Sequence, residues 1–319
     1  MKKLLIIFIA SLISFANCSS TPSQPDEIVT KKNQALEFLK YGNDYFKLSL
    51  YDKALEYYFL ALAYYVSVDN ESGVIQIKSS IGSVYAATDN FSEALKIYED
   101  ALAKAKKNNL TSLVAQLDIK ISEVYLRLHE LDKALSYILA AKNLPQSAIP
   151  LEDLAILYHN LAAIQKAQKK YLEATANLKE AQKINLYLKR YAELASNYYM
   201  LALIYYDQAN YAKALENLNI ALDYDKRVEN TWGIAKDLLA FGKVYAKSGQ
   251  FSEAYDALKK TYLMYLALKQ LYPELAIEKD LLEVLKLIIE IGSALNLDNE
   301  ITIYKKEVEY LKKRLKGDQ

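Results

Sequence analysis

An alanine recurs every forty residues through most of this chain, at Ala54, Ala94, Ala134, Ala174, Ala214 and Ala254. Its companions keep the same step. Three residues earlier stand Tyr51, Phe91, Leu131, Tyr171, Tyr211 and Phe251, all large and apolar. Twelve earlier stand Gly42, Gly82, Ser122, Ala162, Ala202 and Gly242, all small. Nine earlier, tyrosine fills every place except Gln165. Seven later stand Ala61, Ala101, Ala141, Ala181, Ala221 and Thr261. Self-similarity at such a period marks a repeat architecture, in which each unit buries its apolar face only against its neighbours.

The spacings are helical. The small residue and the tyrosine three places on share one face of a first helix, and the periodic alanine and the small residue seven on share one face of a second. Small side chains let two helix axes approach closely, and tyrosines and leucines fill the space beside them. Polar stretches such as Thr88-Asp89-Asn90 and Ser248-Gly249-Gln250 read as the turns between. Asp52, Ser92, Asp132 and Ser252 stand where the second helix is expected to begin, as caps. With 8 glycines and 5 prolines in 319 residues, long helices are favoured over a turn-rich β fold.

Segments such as Gly82-Ser83-Val84-Tyr85 followed by Phe91-Ser92-Glu93-Ala94-Leu95-Lys96-Ile97-Tyr98 resemble the tetratricopeptide repeat. The resemblance covers roughly residues 33–270 and is to a longer variant than the usual ~34-residue unit. It implies an all-α, right-handed α-solenoid of about six hairpins. Repeat 4 departs most, with Gln165 for tyrosine and prolines at Pro145 and Pro150.

Beyond the repeats, residues 271–319 read as capping helices, one running to about Leu295 and the last starting near Asp298. In that last helix Ile301, Tyr304, Val308, Leu311 and Leu315 form one apolar stripe, which seals the stack or docks a partner. Ala294 falls forty residues after Ala254 without the rest of the pattern.

The N-terminus reads as an address. Lys2 and Lys3 precede an apolar run from Leu4 to Phe15, too short to span a bilayer and suited to a signal-peptide core over residues 1–17. Ser14-Phe15-Ala16-Asn17-Cys18 resembles a bacterial lipobox, which implies a lipid on Cys18. The match departs from the usual pattern at Phe15 and Asn17. An ordinary secretory signal with an incidental cysteine is the other reading. Residues 18–32 are expected to be a flexible tether, and the polar stretch after Cys18 reaches about 25–30 Å when extended.

The net charge of +1 falls to −1 once Lys2 and Lys3 are removed, so no strong field points to nucleic acid. One cysteine and two histidines exclude most His/Cys metal sites. No phosphate-binding glycine loop or nucleophile elbow is present. Trp232 reads as a packing residue and His129 as a turn residue. The chain is therefore expected to be no enzyme, with no catalytic, cofactor or metal site.

In the resembled family, first-helix positions 2, 5, 9 and 12 face the concave groove. Carried over, the candidates are Asn43 and Phe46 in repeat 1, Ser83 in repeat 2 and Glu123 in repeat 3. Repeat 4 gives His159, with neighbouring Asn160, and Lys166. Repeat 5 gives Tyr199, Leu203 and Tyr206, and repeat 6 gives Lys236 and Lys243, with Lys247 close by. Leu39 stands where the first lysine of the family's carboxylate clamp belongs, so that clamp is not expected.

The sequence thus predicts a lipid-anchored adaptor of the bacterial cell envelope, on inner or outer membrane. Its groove holds a protein or peptide during envelope assembly or maintenance. A peptide-binding sensor and a surface adhesin are the rival readings. A monomer is favoured because the last helix reads as a cap.

Overall fold

The computed structural model describes residues 25–273 and 277–317. The proposed signal, Cys18 and the first part of the tether lie outside the described residues. Among the described residues every regular element is helical: α1 (Pro25–Lys47), α2 (Tyr51–Ser67), α3 (Glu71–Ala87), α4 (Phe91–Lys107), α5 (Thr111–Arg127), α6 (Leu131–Lys142), α7 (Leu151–Ala167), α8 (Tyr171–Tyr187), α9 (Tyr191–Asp207), α10 (Tyr211–Arg227), α11 (Thr231–Lys247), α12 (Phe251–Leu271), α13 (Glu278–Ala294) and α14 (Asp298–Gly317). The fold is an α-solenoid of helical hairpins. Its residues fall into two compact units divided between Val84 and Tyr85.

The period of forty has a local cause. From α2 to α5 and from α7 to α11 each helix is 17 residues long and is followed by a short turn. In each turn one residue takes a left-handed backbone, at Ser49, Asp69, Asp89, Asn109, His129, Lys169, Lys189, Ala209, Glu229 and Gly249. Those positions step by twenty and skip only residue 149, where Pro145 and Pro150 bracket a single 3-10 turn. At each stop two amides reach back, as Asn90 N–H does to the Tyr85 carbonyl at 2.9 Å and Asp89 N–H to Ala86 at 3.3 Å. A left-handed turn costs an alanine more than a glycine. Ala209→Gly is therefore expected to stabilise the chain by roughly 0.5–1 kcal/mol, read from chemical denaturation.

Two boundaries differ from the sequence reading. Helix α1 begins at Pro25, so residues 25–32 are its first turns and not tether. The second helices begin one residue before Asp52, Ser92, Asp132 and Ser252, so those residues sit inside the first turn and their N-caps are Leu50, Asn90, Glu130 and Gln250. Side-chain capping falls to asparagines: Asn210 caps the second helix α10, accepting from Lys213 N–H at 3.2 Å, while Asn70 and Asn230 cap the first helices α3 and α11, accepting from Gly73 at 3.1 Å and Gly233 at 3.2 Å.

In the first unit, α1 and α2 close around buried Ala54, Tyr58, Ala61 and Tyr65. Gly42 is required there: a Cβ on it would lie 2.5 Å from the Tyr58 ring. In the second unit the same hairpin logic repeats through α14. Tyr125 stacks on Tyr137 at 5.7 Å with an interplanar angle of 17°. Repeat 4 replaces both partners together: Gln165 takes the tyrosine position, Asn177 stands opposite, and the Asn177 amide donates to Gln165 at 2.7 Å. Arg127 reaches back one repeat, donating to the Ala86 carbonyl at 2.6 Å and to Asp89 at 2.6 Å.

The two helices expected after the repeats, α13 and α14, are placed as a seventh hairpin. Its turn residue is Asn296 at φ 58° and its second helix starts at Asp298, each forty-seven residues after its counterpart in repeat 6. The longer α12, 21 residues, shifts the register. In that register Ile301 takes the periodic alanine's place and Gly292 the tyrosine's. Ile301 is fully buried, and a Cβ on Gly292 would lie 2.4 Å from it. Large and small have changed places across one contact. Ala294 is therefore no part of the pattern.

Candidate binding site

First helices pack in succession within the second unit: α5 against α7, α7 against α9, and α9 against α11. Their inward faces supply a polar ladder between repeats. Gln116 of α5 donates to Asp153 of α7 at 3.4 Å, and Lys166 of α7 pairs with Asp207 of α9 at 2.8 Å. Lys243 of α11 pairs with Glu283 of α13 at 2.6 Å.

The centre of this ladder is a small cleft of about 100 Å³ lined by Ala155, Ile156 and His159 of α7, Asn185 of α8, and Glu193, Ser196 and Asn197 of α9. His159 Nδ1 lies 2.8 Å from Asn197 Oδ1. An amide oxygen only accepts, so the ring nitrogen donates, and a neutral ring then keeps a free acceptor at Nε2. Burial lowers the His159 pKa, with the Asn197 bond and Glu123 opposing it, so the ring is neutral at pH 7. Asn185 and Asn197 are both buried. Asn185 Oδ1 and Asn197 Nδ2 nevertheless have no hydrogen-bond partner. A buried amide group without a partner costs on the order of 1–3 kcal/mol.

A second polar intrusion lies one repeat on. In steps of forty, Ile77, Leu117, Leu157, Asn197 and Asp237 occupy the same first-helix position. The first three fill the core, while Asn197 and Asp237 bring polar groups to the same depth, each 1% exposed. Asp237 Oδ2 has no partner. Burial, and then the Asp225 carboxylate, push the Asp237 carboxyl up to about 8, so it is mostly protonated at pH 7. Tyr199 is raised to about 12 by burial, with Asp237 and Glu283 adding to it.

The groove candidates divide by these surroundings. His159 and Tyr199 belong to the polar inner face. Asn160, expected beside it, is buried at 6% exposure and lies in the core, so it is no surface contact. Lys166 and Lys243 are committed to carboxylates of the next repeat. Glu123, Lys236 and Lys247 are exposed, and Leu203 is half-buried. The Lys236 ammonium stands 5.4 Å over the Trp232 ring, and Trp232 packs at 5.6 Å from Tyr265. Tyr206 packs on Tyr211 at 6.1 Å within its own hairpin. In the first unit Asn43 accepts from Tyr58 Oη at 2.8 Å, Phe46 packs on Tyr51 at 5.8 Å, and the Ser83 hydroxyl donates to the Ser79 carbonyl at 3.0 Å. Leu39 is buried. Asn185, Asn197 and Asp237 were not among the candidates. The signal for the last two was present in the sequence, as polar residues in a column otherwise Ile and Leu.

Among the described residues no three His, Cys, Asp or Glu side chains are grouped to hold a metal ion, and no helix is long and apolar enough to cross a membrane.

The tetratricopeptide repeat family model matches residues 33–107. Kinesin light chain-related proteins 1 and 2 of Arabidopsis thaliana are 30% and 29% identical over 139 residues, 42% of this chain. The chain spans under a quarter of their length, 23% and 21%. A Rap protein solved with Competence and Sporulation Factor superposes with a TM-score of 0.65 at 17% identity, over 92% of this chain and 81% of that one. The tetratricopeptide repeat sensor PH0952 from Pyrococcus horikoshii gives 0.62 at 13% identity, over 92% and 45%. BtubC from P. vanneervenii gives 0.54 at 18% identity, over 75% and 92%. Repeats of this kind mediate protein–protein interaction.

Proposed function

We propose that this chain, whose residues 33–107 match the tetratricopeptide repeat family model, is a non-catalytic holder of a partner protein or peptide in the bacterial cell envelope, anchored by a lipid on Cys18. The apolar run before Cys18 supports export. The cleft between α7 and α9 carries the binding reading: two buried amides there offer one free acceptor, Asn185 Oδ1, and one free donor, Asn197 Nδ2. An extended segment presents that pair reversed, a backbone N–H and a backbone C=O, at every residue. The occupant is therefore a polypeptide segment, read mainly through its main chain. The Rap protein of like fold was solved with a bound factor, which supports a ligand on this architecture.

Replacing Asn185 or Asn197 by alanine removes one such bond, and each change is expected to weaken partner capture about 3–10-fold. Crosslinked pull-downs from membranes identify the partner, and circular dichroism confirms that the helices remain. Undiminished capture by the double alanine variant would place the binding face elsewhere. A sensor of short free peptides is the second reading, favoured by the cleft's small volume. Mass spectrometry of gently purified protein separates the two, since a sensor retains a peptide and an adaptor retains a protein.

A further inference from the structure

The outward face of α2 differs from that of α4, the second helix of the next repeat. At matched places α4 carries Glu99, Asp100, Ala103 and Lys106, while α2 carries Phe59, Leu60, Ala63 and Val66. Phe59 is 51% exposed, Leu60 40% and Val66 60%. The charges of α2, Asp52, Lys53 and Glu56, all lie in its first two turns, and none follows Glu56. A single exposed leucine needs no explanation, but a charge-free half-helix does.

The position of this half-helix says what covers it. Phe38 meets Tyr64 at 5.5 Å and Phe46 meets Tyr51 at 5.8 Å, so α1 and α2 run antiparallel. The Val66 end of α2 therefore lies toward the end of the hairpin where the chain enters at Pro25. Pro25 lies only seven residue steps after Cys18, about 23 Å at ~3.3 Å per residue. A lipid on Cys18 holds that end of the hairpin at the headgroups. A lipid on Cys18 attaches the chain, and an apolar helix face held beside the bilayer is a second contact that adds buried area at the interface.

We propose that the C-terminal half of α2 is that contact: Phe59, Leu60, Ala63 and Val66 rest in the lipid interface and orient the first hairpin on the membrane. The inference rests on the Cys18 anchor proposed above. Once the lipid blocks Cys18, the chain has no other cysteine, so Ala63→Cys takes a spin label at one place and Ala103→Cys supplies the matched control.

The labelled, membrane-extracted protein is reconstituted in mixed phosphatidylethanolamine and phosphatidylglycerol vesicles. Collision rates with oxygen and with a water-soluble nickel complex are then compared. The label at 63 is expected to meet nickel about tenfold less often than the label at 103, and Phe59→Glu is expected to abolish the difference. Intact mass read on the same sample separates the failures. A lipidated protein with equal nickel access at both labels overturns the membrane contact alone, and a mass without lipid overturns the anchor and the contact together. Dipolar broadening at 63 without lipid protection would assign the face to a second copy of the chain and also overturn the proposal.

Discussion

Replacing Gly292 by leucine is expected to unseat the last hairpin, at a cost of about 3 kcal/mol and with early proteolysis of α14. A Cβ there would stand 2.4 Å from the Ile301 side chain and 3.1 Å from the Tyr255 ring. Neither neighbour has room to retreat, since Ile301 is fully buried and Tyr255 is 5% exposed. Ile301→Ala alone is also costly, about 2–5 kcal/mol, because it empties the same space. The two changes are coupled. Ile301→Ala made in the Gly292→Leu chain is expected to recover at least half of the loss, since the leucine then occupies the vacated volume. Chemical denaturation of the four chains measures the coupling. Strict additivity would show that the exchange of large and small across this contact is not what holds the hairpin.

That hairpin marks the limit of what the sequence made legible. Six hairpins and their buried alanines follow from a pattern that keeps its step of forty throughout, because a 17-residue helix and a three-residue stop return every twenty residues except around residue 149, where the proline-bracketed 3-10 turn fills the same length. The seventh escaped because four extra residues in α12 and the connection after it move the register to forty-seven, and because its signature is inverted at Gly292 and Ile301. Ala294 offered a false echo in its place.

Helix starts differ from the sequence expectation for another reason. Asp52 and Ser92 are good capping residues by type, but the left-handed stop at Ser49 and Asp89 fixes the turn, and the helix resumes before they are reached. The inner face was half legible. Family positions pointed to His159 and Tyr199 but overlooked Asn197, which adjoins a family position and holds the histidine. Asn185 lies on a second helix, whereas the family's groove positions all lie on first helices.

Asp237→Leu is expected to stabilise the protein, most strongly at alkaline pH. The residue occupies a place where Ile77, Leu117 and Leu157 fill the core, so leucine fits the site by precedent. The carboxyl is 1% exposed and lacks a partner at Oδ2. In the fold its pKa is raised to about 8, against 3.8 for an ordinary aspartate. Between those values the folded state binds the proton and the unfolded state releases it, so stability falls as pH rises and continues to fall until the folded group ionises. The contribution is fully present below the unfolded pKa and lost as pH passes through about 8.

Removing the group is therefore worth on the order of 3 kcal/mol at neutral pH, or about 5–10 °C in Tm, and flattens the decline between neutral and alkaline pH. A variant no more stable than the parent, with the same pH profile, would mean that Asp237 is hydrated and ionised in the fold. A variant that gains stability but loses partner capture would explain why a costly carboxyl stands in the core. Asp237 lies one repeat on from Asn197 in the same first-helix column, and that polar column would then be stability surrendered for recognition.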